Sequence, residues 1–147
     1  MNKKNLLLIG LAVFLALIYA VFFTDWFRSQ TVKISHIHRN LGHRQAPGDA
    51  MPNLVFFLNR SFRLTEIKVV PLADYKTNPK ILPLWHLVSD SNSVPIKNFY
   101  YGQSDRAMRG LKPAVPGTLA QPLTNHVTYR IFVQAGQIQG EHDFELR

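Results

Sequence analysis

The stretch Val127–Leu146, VTYRIFVQAGQIQGEHDFEL, alternates apolar and polar residues on both sides of a glycine. Val127, Tyr129, Ile131 and Val133 share one face of an extended chain, and Ile138, His142, Phe144 and Leu146 share one face after the break. A period of two over such lengths predicts two half-buried strands. Ala135-Gly136 is the expected two-residue connection, since glycine tolerates a positive φ. The stretch therefore reads as a β-hairpin.

Working outward, short runs rich in Val, Ile, Phe, Tyr and Thr are broken by Pro, Gly, Asn and Asp, the pattern of strands and turns. The expected strands are Thr31–His38, Asn53–Leu58, Arg63–Val70, Leu82–Val88 and Ile96–Tyr101, followed by the hairpin's Val127–Gln134 and Gln137–Leu146. No helical periodicity of useful length follows residue 30, and no internal repeat is visible. About seven short strands predict an all-β fold, an antiparallel sandwich. Asn40–Pro52 and Gln103–Thr124 are rich in Gly and Pro and stand outside this pattern. An ordered loop of about 20 residues is unusual in a small domain and is often functional. The second stretch, with Arg106, Arg109, Lys112, Pro113 and Pro116, is thus the expected partner-contact loop.

Leu123-Thr-Asn-His-Val-Thr-Tyr129, followed by Ile131, Val133 and Ala135, resembles the penultimate strand of fibronectin type III and other immunoglobulin-like domains. There a Leu lies six residues before a Tyr, and alternating apolar residues follow. The resemblance implies an immunoglobulin-like sandwich in which the Tyr129 hydroxyl bonds back to upstream backbone and Trp85 is the buried core tryptophan. The proline usual two residues after the Leu is Asn125 here, and the loops are longer. Such a likeness speaks to fold and not to activity.

Leu6–Phe23, LLLIGLAVFLALIYAVFF, is uncharged and mostly apolar. As a helix it spans roughly 27 Å, close to the hydrocarbon thickness of a bilayer. A secretory signal has a shorter core ending at paired small residues; here the run passes Ala20, whose neighbour two positions back is Ile18. The run reads as a transmembrane anchor, dividing the chain into a tail and span (1–30) and an outer domain (31–147). Lys3 and Lys4 precede the span, whereas Arg28 beyond it is offset by Asp25. The positive-inside rule then puts the N-terminus in the cytoplasm and the domain outside the cytoplasmic membrane. Ala12, Ala16 and Ala20 recur every four residues, a stripe on which another membrane helix could pack closely.

There is no cysteine, which excludes disulfides, thiolate metal sites and a cysteine nucleophile. From Thr31 onward 14 Lys and Arg face 8 Asp and Glu, a net charge of +6. A basic domain tethered outside a membrane favours membrane lipid or an acidic protein surface as partner, not nucleic acid.

No side-chain set announces a reaction. His36 and His38 share a strand face, a spacing that suits a metal, and His43 in the next loop could complete a site. No carboxylate or thiol stands beside them, and Arg39 and Arg44 would repel a cation, so a solvated edge strand is expected. Ser89-Asp90-Ser91-Asn92-Ser93 is turn chemistry, not a nucleophile elbow. Glu141, Asp143 and Glu145 fall on the outward face of the last strand, where Arg130 could pair with them. Phe99 and Tyr101 point one way and Tyr100 the other, so one side is core rather than a sugar platform. The expectation is a non-enzymatic accessory subunit without cofactor or metal, bracing integral membrane subunits of a respiratory or photosynthetic type of assembly. The alternative is a tethered binding module for glycan, a metal ion or a soluble carrier protein.

Overall fold

A computed structural model describes residues 3–23, 31–38, 54–90, 93–103, 108 and 110–146. The chain forms two compact units, Met1–Gln30 and Thr31–Arg147. In the first, α1 (Lys3–Phe23) is a 21-residue helix, apolar all round rather than along one stripe, with none of its apolar span buried. Its length and composition suffice to cross a membrane, as in a membrane anchor or a signal sequence. Ala12, Ala16 and Ala20 lie on it at the expected spacing, all exposed.

The second unit is mostly β, built of two antiparallel sheets in a sandwich-like arrangement. β1 (Ile34–His38), β2 (Leu54–Phe62) and β5 (Ile96–Tyr100) make one sheet in the order β1-β2-β5. β3 (Glu66–Pro71), β4 (Trp85–Ser89), β6 (Leu111–Pro113), β7 (Thr128–Ala135) and β8 (Ile138–Glu145) make the other in the order β6-β4-β3-β7-β8. Every described pairing is antiparallel.

The alternating faces meet in the middle. From the five-stranded sheet come Ile67, Val69, Trp85, Leu87, Tyr129, Ile131, Val133 and Phe144; from the other come Leu54, Phe56, Leu58 and Phe99. An aromatic chain crosses this core, with ring centroids 5.5 Å apart for Phe56–Phe99, 5.1 Å for Phe56–Phe144 and 5.7 Å for Tyr129–Phe144. Such offset and edge contacts add to the area they bury. Trp85 is buried on β4 against Phe99 and Tyr101, at 6.1 and 5.2 Å. The buried Tyr129 hydroxyl accepts from the Thr124 N–H at 2.8 Å and lies 3.4 Å from the Thr124 carbonyl.

The structure departs from expectation in four places. The final hairpin turns one residue later, because Ala135 pairs with Ile138 and the connection is Gly136-Gln137. Gly136 has φ 65, the positive first position of a II′-type turn. β2 runs on through the exposed Asn59, Arg60 and Ser61 to the buried Phe62, with a register shift between Phe57 and Phe62. Polar residues on a strand's solvent face look like a break in the sequence. A short helix, α2 (Leu72–Thr77), which no periodicity announced, lies between β3 and β4, with Tyr75 packed 5.2 Å from Phe132. The stretch expected as one long loop also contains β6, so Lys112 and Pro113 stand on an edge strand rather than in a loop. Proline is tolerated there because an edge strand can lack one ladder donor.

The two sheets approach each other where the chain enters β1. The Val32 N–H donates to the Gln139 carbonyl at 3.4 Å, and a Cβ built on Gly140 would overlap the Val32 carbonyl oxygen. Gly140→Ala is therefore expected to force the edges apart and cost about 1–3 kcal/mol in denaturant unfolding. An unchanged midpoint would show that the edges close without this contact. Tyr129→Phe strands the Thr124 N–H and should cost about 1 kcal/mol or more in the same assay.

Candidate functional site

Two surfaces of the β domain combine unusual chemistry with a defined backbone. The first lies at the end of the sandwich where β1 finishes, opposite Thr31. The strand register places the β3–β4 and β6–β7 connections there: His38 faces Leu54, Val55 faces Tyr100, and Pro71 faces Tyr129.

Those connections are prolines and backbone bonds rather than slack chain. Leu84 N–H donates to Val69, Ala114 N–H to His86 and Gln121 N–H to Leu84, so the segments before β4 and after β6 adjoin. The Thr118 hydroxyl closes a turn on Val115 at 2.6 Å around Pro116-Gly117, with φ 81 at Gly117. Beneath it the Tyr101 hydroxyl donates to the Gln121 carbonyl at 2.7 Å. Burial, and then Tyr129, raise the Tyr101 pKa far above the ordinary phenol, so the donor stays protonated. Pro79, Pro83, Pro113, Pro116 and Pro122 stiffen the pair of segments.

This anchored framework points apolar side chains at solvent. Leu82 and Leu119 are each 85% exposed and Val115 61%. Single exposed leucines are ordinary, but three large apolar residues on adjoining, fixed segments make a candidate contact surface. The sequence reading put Leu82 inside a strand; the structure places it three residues before β4, outside the core. The signal available was a Leu and a Val isolated among Pro, Gly and Thr, with no periodic partner to bury them. Of the expected contact residues, Pro116 is in the turn beside Val115, Pro113 is on β6, and Lys112 is engaged by Asp90 at 3.1 Å. Arg106 and Arg109 lie outside the described residues.

The second surface is the edge where β1 runs beside β8. His36 Nδ1 and His142 Nε2 are 2.7 Å apart, and the His36 ring lies 5.0 Å from His142, 5.7 Å from His38 and 5.9 Å from Phe144. His38 Nε2 is 3.1 Å from the Glu145 carbonyl. A carbonyl only accepts, so that nitrogen is the donor. Sequence spacing paired His36 with His38; the fold gives His36 a closer partner 106 residues away. His43 lies outside the described residues. Among the described residues no group of three or more His, Asp or Glu gathers tightly enough to hold a metal ion.

Two acidic residues of β8, Asp143 and Glu145, line a depression beside His36 and His38. Arg130 holds Asp143 by two bonds, 2.6 and 2.8 Å, and reaches Glu141 at 3.5 Å. Those bonds keep the Asp143 carboxyl below its usual range. An open groove of about 790 Å³ runs past Lys68, Tyr75 and Phe132 on the outer face of the five-stranded sheet. In it the Lys68 ammonium sits 5.1 Å over the Phe132 ring, and Glu66 meets His86 at 2.7 Å. Tyr100 is exposed whereas Phe99 and Tyr101 are core, so those aromatics do not form one stacking platform.

Comparison of the chain with protein-family models, curated proteins and solved structures gave no match in any of the three.

The imidazole pair makes a pH-dependent prediction for metal-free protein. Burial lowers the His36 pKa, followed by the charges of His142 and His38; burial lowers that of His142 against the opposing pull of Asp143. Both fall below the 6.5 of the unfolded chain, so the unfolded state binds protons more readily. Their contribution is complete above pH 6.5 and is lost as pH drops through that value toward the folded pKa. With a chelator present, the urea midpoint should fall between about pH 7 and pH 5, and less steeply in His142→Gln. Identical pH slopes in the two proteins would remove the pair as the cause.

Proposed function

We propose that this chain is a non-catalytic accessory subunit of a larger membrane protein complex. Its outer domain is an immunoglobulin-like sandwich. With β1, β2, β3, β4, β5, β7 and β8 taken in turn as strands A, B, C, C′, E, F and G, the sheets read A-B-E and C′-C-F-G, the partition of that architecture. Tyr129 then falls on strand F with its hydroxyl turned to upstream backbone, as a corner tyrosine does. β6 is an addition at the C′ edge, and Trp85 belongs to C′ rather than C.

The observation that carries the functional reading is the exposure of Leu82, Val115 and Leu119 on segments that backbone bonds hold fixed. Preordered apolar side chains lose little entropy on docking, so contact with a protein surface gains more from their burial. α1 supports the same reading, since a helix apolar on every side needs lipid or other helices around it. Ala12, Ala16 and Ala20 would face a neighbouring membrane helix. The span enters the cytoplasmic membrane with Lys3 and Lys4 inside, and the basic domain braces integral subunits from the outer face. Respiratory and photosynthetic assemblies are hosts of the right kind. A second reading, a tethered module for a glycan, metal ion or carrier protein, draws support from the His36–His142 pair.

Gentle detergent extraction, capture of the full chain through a tag and mass spectrometry test this reading. Stoichiometric recovery of integral membrane subunits is expected. Leu82→Asp with Leu119→Asp should weaken that recovery roughly tenfold or more while leaving the melting temperature unchanged, because both side chains lie outside the core. Recovery of the chain alone from its native membrane overturns the proposal.

A further inference from the structure

We propose that His36 and His142 form a two-imidazole site for a late first-row divalent cation, Cu²⁺ above others, with water completing the coordination. Four observations support it. The two nitrogens face each other across different strands at 2.7 Å. Metal–nitrogen bonds of about 2.0 Å set neighbouring donors about 2.8–3.3 Å apart, so a small rotation of either ring admits an ion once the proton between the two nitrogens has moved to the far nitrogen of its own ring. The strands that carry the rings are held on both sides of the pair, by Val32 on Gln139 and by His38 on Glu145. Chelation therefore costs little ordering.

The donor set also selects the ion. Two neutral nitrogens without thiolate suit copper, nickel or zinc, and affinity among these peaks at Cu²⁺. Calcium and magnesium require a shell of oxygen ligands, and of the two carboxylates that line the depression Asp143 is already held by Arg130. An open depression of about 440 Å³, lined by His36, His38, Thr128, Asp143, Phe144 and Glu145, gives the ion and its waters access from solvent on the His36 side of the pair. His38 presents its ring edge to His36 and hydrogen-bonds Glu145, so it supports the edge as a positioning residue and is not a ligand. The site is independent of the docking surface at Leu82, Val115 and Leu119.

The test is titration of the full chain in detergent with Cu²⁺, followed by calorimetry and electron paramagnetic resonance. One ion per chain is expected, with hyperfine structure from two imidazole nitrogens. His36→Gln and His142→Gln should each weaken binding roughly tenfold or more, and His86→Gln should leave it unchanged. Should a substitution unfold the protein, the imidazole resonances of ¹⁵N-histidine-labelled wild type decide instead. Cu²⁺ must then broaden His36 and His142 before His86 and His126. Binding that survives both ligand substitutions, that His86→Gln weakens equally, or that broadens other rings first overturns the site.

Discussion

The seam where β1 runs beside β8 exists because position 140 carries no side chain. With Gly140 there, the Val32 backbone comes within van der Waals reach and its N–H meets Gln139. That contact draws the edge of the three-stranded sheet against the edge of the five-stranded one. Everything later along β1 inherits the alignment: His36 arrives opposite His142, and His38 opposite Glu145. Edge strands otherwise present unpaired backbone to other chains. Here two edges shield each other, in a domain that has no disulfide to restrain it.

A second constraint comes from two phenols. Tyr101 and Tyr129 are buried residues whose hydroxyls hold the backbone of Gln121 and Thr124, the segment leading into β7. Burying a phenol without a partner is costly, so each ring that enriches the core also fixes a stretch of loop. The segment could not follow the turn at Pro116-Gly117 and remain mobile with both carbonyl and amide groups so engaged. The exposed leucines thus stand on a rigid mount. Rigid presentation separates a surface suited to recognition from apolar residues left over by composition.

How much of this was legible in the sequence depended on whether a signal was periodic. β7 and β8 were readable because Tyr129, Ile131 and Val133 alternate against Phe144 without interruption. β3 was readable for a different reason: Ile67, Val69 and Val70 are all buried, one face by the second sheet and the other beside α2, leaving a nearly continuous apolar run. β6 was not readable, since three residues ending in proline carry no period and form only because β4 offers an edge. α2 was hidden likewise; six residues with no buried side chain among them have no amphipathic pattern to show. The His36–His142 pair depended on a long-range register that no local spacing encodes. What the sequence did offer was the half-buried phase of His142, which alternation had already placed beside Phe144.

The two surfaces differ in what holds them, and this bears on how they could act. The leucine mount is tied into the core through tyrosines, so its geometry should persist whether or not anything covers it. The histidine seam is held by a glycine contact, the Val32–Gln139 and His38–Glu145 bonds and a pair of imidazoles, all at a sheet edge. Regions with few buried apolar contacts open first. A cation bound by both rings would therefore strengthen this join, and protonation of both rings would loosen it. Asp143 favours the charged form of His142 but is itself bound to Arg130, and burial outweighs its pull. Burial thus makes the seam favour neutral histidines, the state from which both rings can offer lone pairs to a metal once the proton between them has moved.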